Sequence, residues 1–182
     1  PEIAEQVIKG KRRPHGHLMA QTLTQLSRKI EDLCKHSARV VRIAVAPECH
    51  QQGIGSALLN HCESQLSNCS YFGASFGANA ALVKFWQSNG FNVVKLGFSH
   101  DKATAEHAAL VVKALDKQTT DSATLLIEEF KQDLSLQLLD HFSSLPWQLI
   151  AELFKGLPKS ELSSALDARA ERLLTGDINL FQ

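Results

Sequence analysis

The stretch from Arg39 to Leu59, "RVVRIAVAPECHQQGIGSALL", restricts this chain most. Its opening "RVVRIAV" is β-branched and apolar at both parities. That pattern predicts a strand covered on both faces, ended by Pro47. A polar turn follows, and Gly53 and Gly55 then stand at the mouth of a helix, "GSALLNHCESQLS". A helix leaves its first N–H groups without partners, and its aligned peptide dipoles favour an anion at that end. Glycines there let a pyrophosphate approach amides that a Cβ would hold off. Two familiar nucleotide sites are excluded. A P-loop needs a Lys after its second glycine, and none follows. A dinucleotide fingerprint needs a third glycine, and Leu58 occupies that place.

The rest of the chain predicts an α/β order. Residues 2–9 read as a short helical stretch and "GKRRPHGH" as a loop. "LMAQTLTQLSRKIEDLCKH" sets Leu23, Leu26, Ile30 and Leu33 at helical spacing. "YFGASFG", "FNVVKLGF" and "AALVVKAL" read as strands. In the first of these, the glycines and Ala74 leave room for a close approach to the backbone. "NAALVKFWQSNG" reads as a helix capped by Asn79 and stopped at Gly90. "SHDKATAEH" reads as a polar loop. From the linker "DKQTTDS" onward the chain reads as all helical. Leu125, Leu126, Phe130, Leu134, Leu138 and Phe142 share one helix face; a second helix begins near Ser144 and Pro146, and a third near Ser160. The expected division is an α/β part over residues 1–117 and a helical tail domain over 118–182.

Formal net charge is zero, but it is polarised. Between Lys9 and Arg42, nine Lys and Arg face only Glu31 and Asp32, whereas from Thr119 onward ten acids face five bases. A basic front and an acidic tail suit different partners. Cys34, Cys49, Cys62 and Cys69 form no C-x-x-C pair, so free thiols and no metal site are expected. No signal peptide and no membrane-length apolar run is present, which points to the cytoplasm. The chain begins at Pro1 without an initiator Met and reads as a piece of something longer.

Val45-Ala46-Pro47 followed by Gly53-Ile54-Gly55-x-x-Leu58-Leu59 resembles the first motif of the GCN5-related N-acetyltransferases. Asn79, Trp86 and Gly90-Phe91 match the second, in the right order and with a strand between. "GKRRPHGHL", "RVVRIAVAP", "ASFGA" and "KFWQSNGF" extend the resemblance, over nearly all of the chain, to the bacterial tRNA(Met) cytidine acetyltransferases. That resemblance implies a partial acetyltransferase fold, a mixed sheet with flanking helices, followed by an all-α tail. It implies acetyl-CoA as cofactor and tRNA(Met) as partner. The product would be N4-acetylcytidine at the wobble position. ATP would be used by an upstream helicase-like module, absent from this chain, that the chain would contact. An amine or protein N-acetyltransferase of the same fold, and an accessory domain binding RNA or acetyl-CoA, remain open alternatives.

Roles follow from the resemblance. Ile43, Ala44 and Val45 would offer backbone groups to the pantetheine arm. His50, Gln51, Gln52, Gly53, Ile54, Gly55 and Ser56 would wrap the pyrophosphate. Ala81 and Ser88, seven residues apart on one helix face, would line the cofactor. His50 departs from the family pattern, which has Gln or Arg there; an imidazole can still donate to phosphate, with a dependence on pH. Trp86 stands where many relatives of the superfamily carry a Tyr acid, so Trp86 is expected to pack, and Tyr71 lies on another element. The catalytic base is not fixed by the sequence. His15 and His17, in the basic loop, are candidates, and Lys11, Arg12 and Arg13 are expected to meet RNA phosphates.

Overall fold

The computed structural model describes residues 18–26, 37–101 and 104–155. The expected helices at 2–9 and 160–176 lie outside the described residues, as does the rest of the helix from Leu18. Helix α1 runs over Leu18–Leu26, strand β1 over Ser37–Val40 and helix α2 over Ile54–Ser64. Strand β2 spans Tyr71–Gly77, helix α3 Ala80–Ser88, strand β3 Asn92–His100 and strand β4 His107–Ala114. Helices α4, Lys117–Gln137, and α5, Trp147–Leu153, follow. The sheet is mixed, in the order β1-β2-β4-β3: β1 and β2 are parallel, and β4 is antiparallel to both of its neighbours.

Alternation along β2 separates two apolar layers. Phe72 and Ala74 face one layer with Val93, Leu96, Ala109 and Val111, covered by Leu59 of α2 and by Val83 and Trp86 of α3. Tyr71 faces the other layer with Val94, Leu110 and Val112, covered by Met19 and Leu23 of α1 and by Ala123 and Leu126 of α4. Further along α4, Phe130 and Leu134 join the first layer, together with Phe142 and with Leu149 and Leu153 of α5. Helix α4 therefore passes around the β3 edge and contributes to both faces. Leu125, expected on its buried face, is 54% exposed.

Two expectations are corrected. The strand expected over "RVVRIAV" closes at Val40, and residues 41–46 carry no regular structure. They are not covered on both faces: Val41 is 79% exposed, and Ala44 and Ala46 are exposed as well. A strand needs a neighbour for its backbone groups. The ladder with β2 stops at Val40–Ala74, and among the described residues β1 has no strand on its other side. The linker "DKQTTDS" is largely helical. The Asp116 carboxylate accepts the Thr119 N–H at 2.8 Å and caps α4, and the Thr119 hydroxyl donates to the Ser70 carbonyl at 3.1 Å.

The room left by the β2 glycines is filled by the chain itself. A Cβ on Gly73 would collide with the Met19 thioether and stand 2.7 Å from the Val111 carbonyl oxygen, while one on Gly77 would collide with the Glu106 carboxylate.

Candidate active site

The turn between β1 and α2 is built from short-range bonds. Pro47–Cys49 form one 3-10 turn, in which the Cys49 N–H donates to Ala46 O at 2.9 Å and the His50 N–H to Pro47 O at 3.1 Å. Gln51 at φ +61° and Gly53 at φ +78° then reverse the chain into α2. The Ala57 N–H is the first in the helix to find a carbonyl, Gly53 O at 2.9 Å. Among the described residues, no N–H from Gln51 to Ser56 donates to a backbone oxygen. Six consecutive amides are thus available to an anion at the positive end of α2.

The two glycines do different work. Nothing lies within 4 Å of where a Cβ on Gly53 would stand, so Gly53 is required by its left-handed backbone. A Cβ on Gly55 would sit 3.1 Å from the Phe85 ring, so Gly55 lets α2 approach α3. The glycine rationale drawn from pyrophosphate approach therefore suits Gly53, which faces open space, and not Gly55.

Upstream of the turn, two parallel strands part. β1 leaves β2 after Val40–Ala74, while β2 continues to Gly77 paired with β4 alone. Ile43 and Ala44 make no backbone hydrogen bond among the described residues, and the Ile43 side chain packs against the first layer. Side chains anchor this segment, and its backbone is left for a ligand. The Val45 carbonyl is taken: His50 Nε2 donates to it at 2.8 Å. Because a carbonyl only accepts, Nε2 carries the proton, and a neutral His50 ring has no N–H left for a phosphate. Gln52 folds back in the same way, its Nε2 donating to Glu48 O at 3.2 Å.

Helix α3 forms the neighbouring wall. Ala81 and Ser88 are exposed and share the flank of Phe85, the residue that meets Gly55. The Ser88 hydroxyl donates to Lys84 O at 2.8 Å. Trp86 packs as expected: it is buried, stacked on Phe76 at 5.7 Å and edge-on to Phe91 at 4.9 Å. Tyr71 is no acid for this site. It lies at the opposite end of β2 from Gly77, and its hydroxyl donates to Thr119 O at 3.0 Å. Burial, aided by the Asp116 carboxylate, pushes its pKa up to about 12. Lys11, Arg12, Arg13, His15 and His17 lie outside the described residues.

Sequence reasoning missed two polar clusters at the open end of the sheet. Asn79 Oδ1 accepts the Leu82 N–H at 3.0 Å, as a cap should, and its Nδ2 donates to Glu106 Oε1 at 3.1 Å. Buried His107 donates from Nδ1 to Gly97 O at 2.7 Å, and its Nε2 lies 3.1 Å from His100 Nδ1. Glu106 and His107 close the polar run "SHDKATAEH", whose composition had suggested only a loop. A cavity of about 670 Å³ lies elsewhere, at the C-terminal end of α2, lined by Glu63, Ser64, Asn68 and Asp116 among others. Its acidic lining and its helix C-terminus disfavour an anion.

A family model described as GNAT acetyltransferase 2 matches residues 57–116, beginning just after the glycine turn. The tRNA(Met) cytidine acetyltransferase of Haemophilus ducreyi is 33% identical over 142 residues, 75% of this chain and 24% of that protein. The tRNA(Met) cytidine acetyltransferase of Vibrio cholerae is 36% identical over 151 residues, 82% of this chain and 20% of that protein. The chain thus spans a quarter or less of these relatives' length. Among solved structures, the ribosomal-protein-S18-alanine N-acetyltransferase from Escherichia coli aligns with TM-score 0.40 and 27% identity, over 44% of this chain and 55% of that one.

Proposed function

We propose that this chain, similar over most of its length to the tRNA(Met) cytidine acetyltransferases and matching a GNAT acetyltransferase model in part, carries part of such an acetyltransferase domain, binds acetyl-CoA at the glycine turn and serves acetyl transfer to tRNA(Met). One observation carries the reading: six unpaired amides, Gln51 to Ser56, at the head of α2, directly beside two parallel strands that have parted. The amides and helix dipole suit the pyrophosphate, with His50 and Gln52 bracing the turn. The free backbone of Ile43 and Ala44 suits the amide-bearing pantetheine arm. Ala81 and Ser88 flank the same surface from α3.

The acceptor is the exocyclic amine of cytidine at the wobble position, and the product is N4-acetylcytidine. That amine is a weak nucleophile because its lone pair is delocalised into the ring. The site must therefore work by positioning, by polarising the thioester carbonyl and by removing a proton. Lys11, Arg12 and Arg13 supply phosphate contacts to the RNA, and a helicase-like module that hydrolyses ATP cooperates with this part in the cytoplasm.

The test is acetyl transfer by the protein as expressed from its natural gene. With acetyl-CoA, ATP and unmodified tRNA(Met), mass spectrometry of the digested RNA should find N4-acetylcytidine at one position. Acetyl-CoA binding without any acetylated nucleoside, or acetylation of a protein amine in its place, would overturn the RNA assignment.

A further inference from the structure

We propose that Glu106 is the catalytic base that takes the proton from the acceptor amine, held in place by Asn79; this rests on the acetyl-transfer reading above. Because β1 and β2 are parallel, they part at their C-terminal ends. β4 runs antiparallel to β2, so its N-terminal end lies at that same end of the sheet: Gly77 pairs with Ala108, and the Ala78 N–H donates to His107 O at 2.7 Å. Glu106 directly precedes β4 and so stands beside the opening, on the far side of β2 from β1.

The side chain is positioned from two directions. Its Oε2 lies where a Cβ of Gly77 would stand, so a larger residue there would push the carboxylate aside. Its Oε1 accepts from Asn79 Nδ2 at 3.1 Å. The Asn79 amide cannot turn over, because its oxygen is committed to the Leu82 N–H. Among the described residues, no Lys or Arg forms an ion pair with Glu106, so its charge is not neutralised by one. Among the described residues, the charged and titratable neighbours are Asp101, whose N–H donates to Glu106 O, and His107, whose ring is turned to Gly97 and His100.

The faces are also right. Gly73 opens toward Met19 of α1, and Gly77 has the same parity, so Glu106 lies on the α1 face. The glycine turn belongs to the face covered by α2 and α3. A thioester anchored on one face and an acceptor arriving on the other meet in the gap between β1 and β2. Gly77 is three residues, roughly 10 Å, beyond the last β1–β2 pair, so the acceptor amine must sit at the outer mouth of the gap, within one water of Glu106, for the proton to pass. In the step, the amine nitrogen bonds to the thioester carbonyl carbon and loses a proton to Glu106. The C–S bond then breaks, and the thiolate departs with that proton, returned through Glu106 or solvent.

The experiment compares the natural-length protein with Glu106→Gln and Glu106→Asp. The readouts are acetyl transfer to tRNA(Met) between pH 5 and 9, acetyl-CoA affinity and the melting temperature. For Glu106→Gln, which can still accept from Asn79, kcat should fall about 100-fold or more with acetyl-CoA affinity unchanged, and the acidic limb of the pH profile should vanish. Glu106→Asp should keep that limb at reduced kcat. A Gln variant within threefold of the parent and with the parent's pH profile would sink the base assignment alone. If the Gln variant fails to melt cooperatively, an Asp variant with no acidic limb does the same. A parent protein that acetylates no RNA would sink the acetyl-transfer reading, and this assignment with it.

Discussion

His50 Nε2 donates to the Val45 carbonyl at 2.8 Å, tying the start of the glycine turn to the end of the parted strand. The bond fixes which ring nitrogen carries the proton. In the neutral ring Nδ1 is a lone pair, which repels a phosphate oxygen, so the ring braces the turn and does not itself hold the anion. His50→Ala, which releases the Val45 carbonyl, should weaken acetyl-CoA binding by up to about tenfold, the order of one lost hydrogen bond. Titration calorimetry of the two proteins decides it, and an affinity within about twofold of the parent would show that the turn does not need this brace.

The glycines of the turn make separable predictions. Gly53→Ala forces a Cβ into left-handed backbone and should cost about 1–2 kcal/mol of stability, with no second-site rescue through packing. Gly55→Ala drives its Cβ to 3.1 Å from the Phe85 ring. It should cost about 1–3 kcal/mol as overpacking, and part of that should return in the double variant Gly55→Ala, Phe85→Leu. Denaturant melts of the four proteins test this. Strict additivity of the Gly55 and Phe85 changes would show that the ring is not what requires the glycine.

Phe142 lies beyond the end of α4 and yet is fully buried in the layer that holds Ala109 and Val111. Its ring stacks on Phe98 at 5.7 Å and meets buried His107 edge-on at 4.9 Å. The α4–α5 segment should therefore unfold together with the sheet. Phe142→Ala should cost about 3–5 kcal/mol and leave a single transition seen alike by far-UV circular dichroism and Trp fluorescence. Two separated transitions would mean that the helices melt independently.

Local chemistry made much of the fold legible. "YFGASFG" is strand β2 residue for residue, and Asn79 and Gly90 bound α3 as a cap and a stop should. Features decided by distant residues were not legible. The apolar residues after Val40 read as a buried strand, but a strand exists only where another pairs with it, and the β1–β2 ladder ends at Val40–Ala74. The need for Gly55 depends on Phe85, and that for Gly77 on Glu106. The spent proton of His50 depends on a carbonyl that no spacing rule singles out. The amide turn itself could be read, because its motif is contiguous. The Asn79–Glu106 contact could not, because it joins two elements far apart in the chain.

Tyr71 is the chain's only tyrosine, so its ionisation can be followed directly by phenolate absorbance. Burial first, and the Asp116 carboxylate second, hold its pKa at about 12 in the folded protein. In the unfolded chain it ionises near the ordinary value of about 10. Between those values the unfolded state binds fewer protons than the folded one, so stability must fall as pH rises from about 10 to about 12. Below that window the contribution is fully present. Two pKa units correspond to about 2–3 kcal/mol. Tyr71→Phe removes the 3.0 Å bond to Thr119 O and should cost about 1 kcal/mol at pH 7. The variant should also lose the tyrosine's share of the alkaline decline, so its stability curve should approach the parent's from below and meet or cross it near pH 11. Parallel curves across the whole range, or a phenol that titrates near 10 in the folded protein, would show that the hydroxyl is not sealed against Thr119.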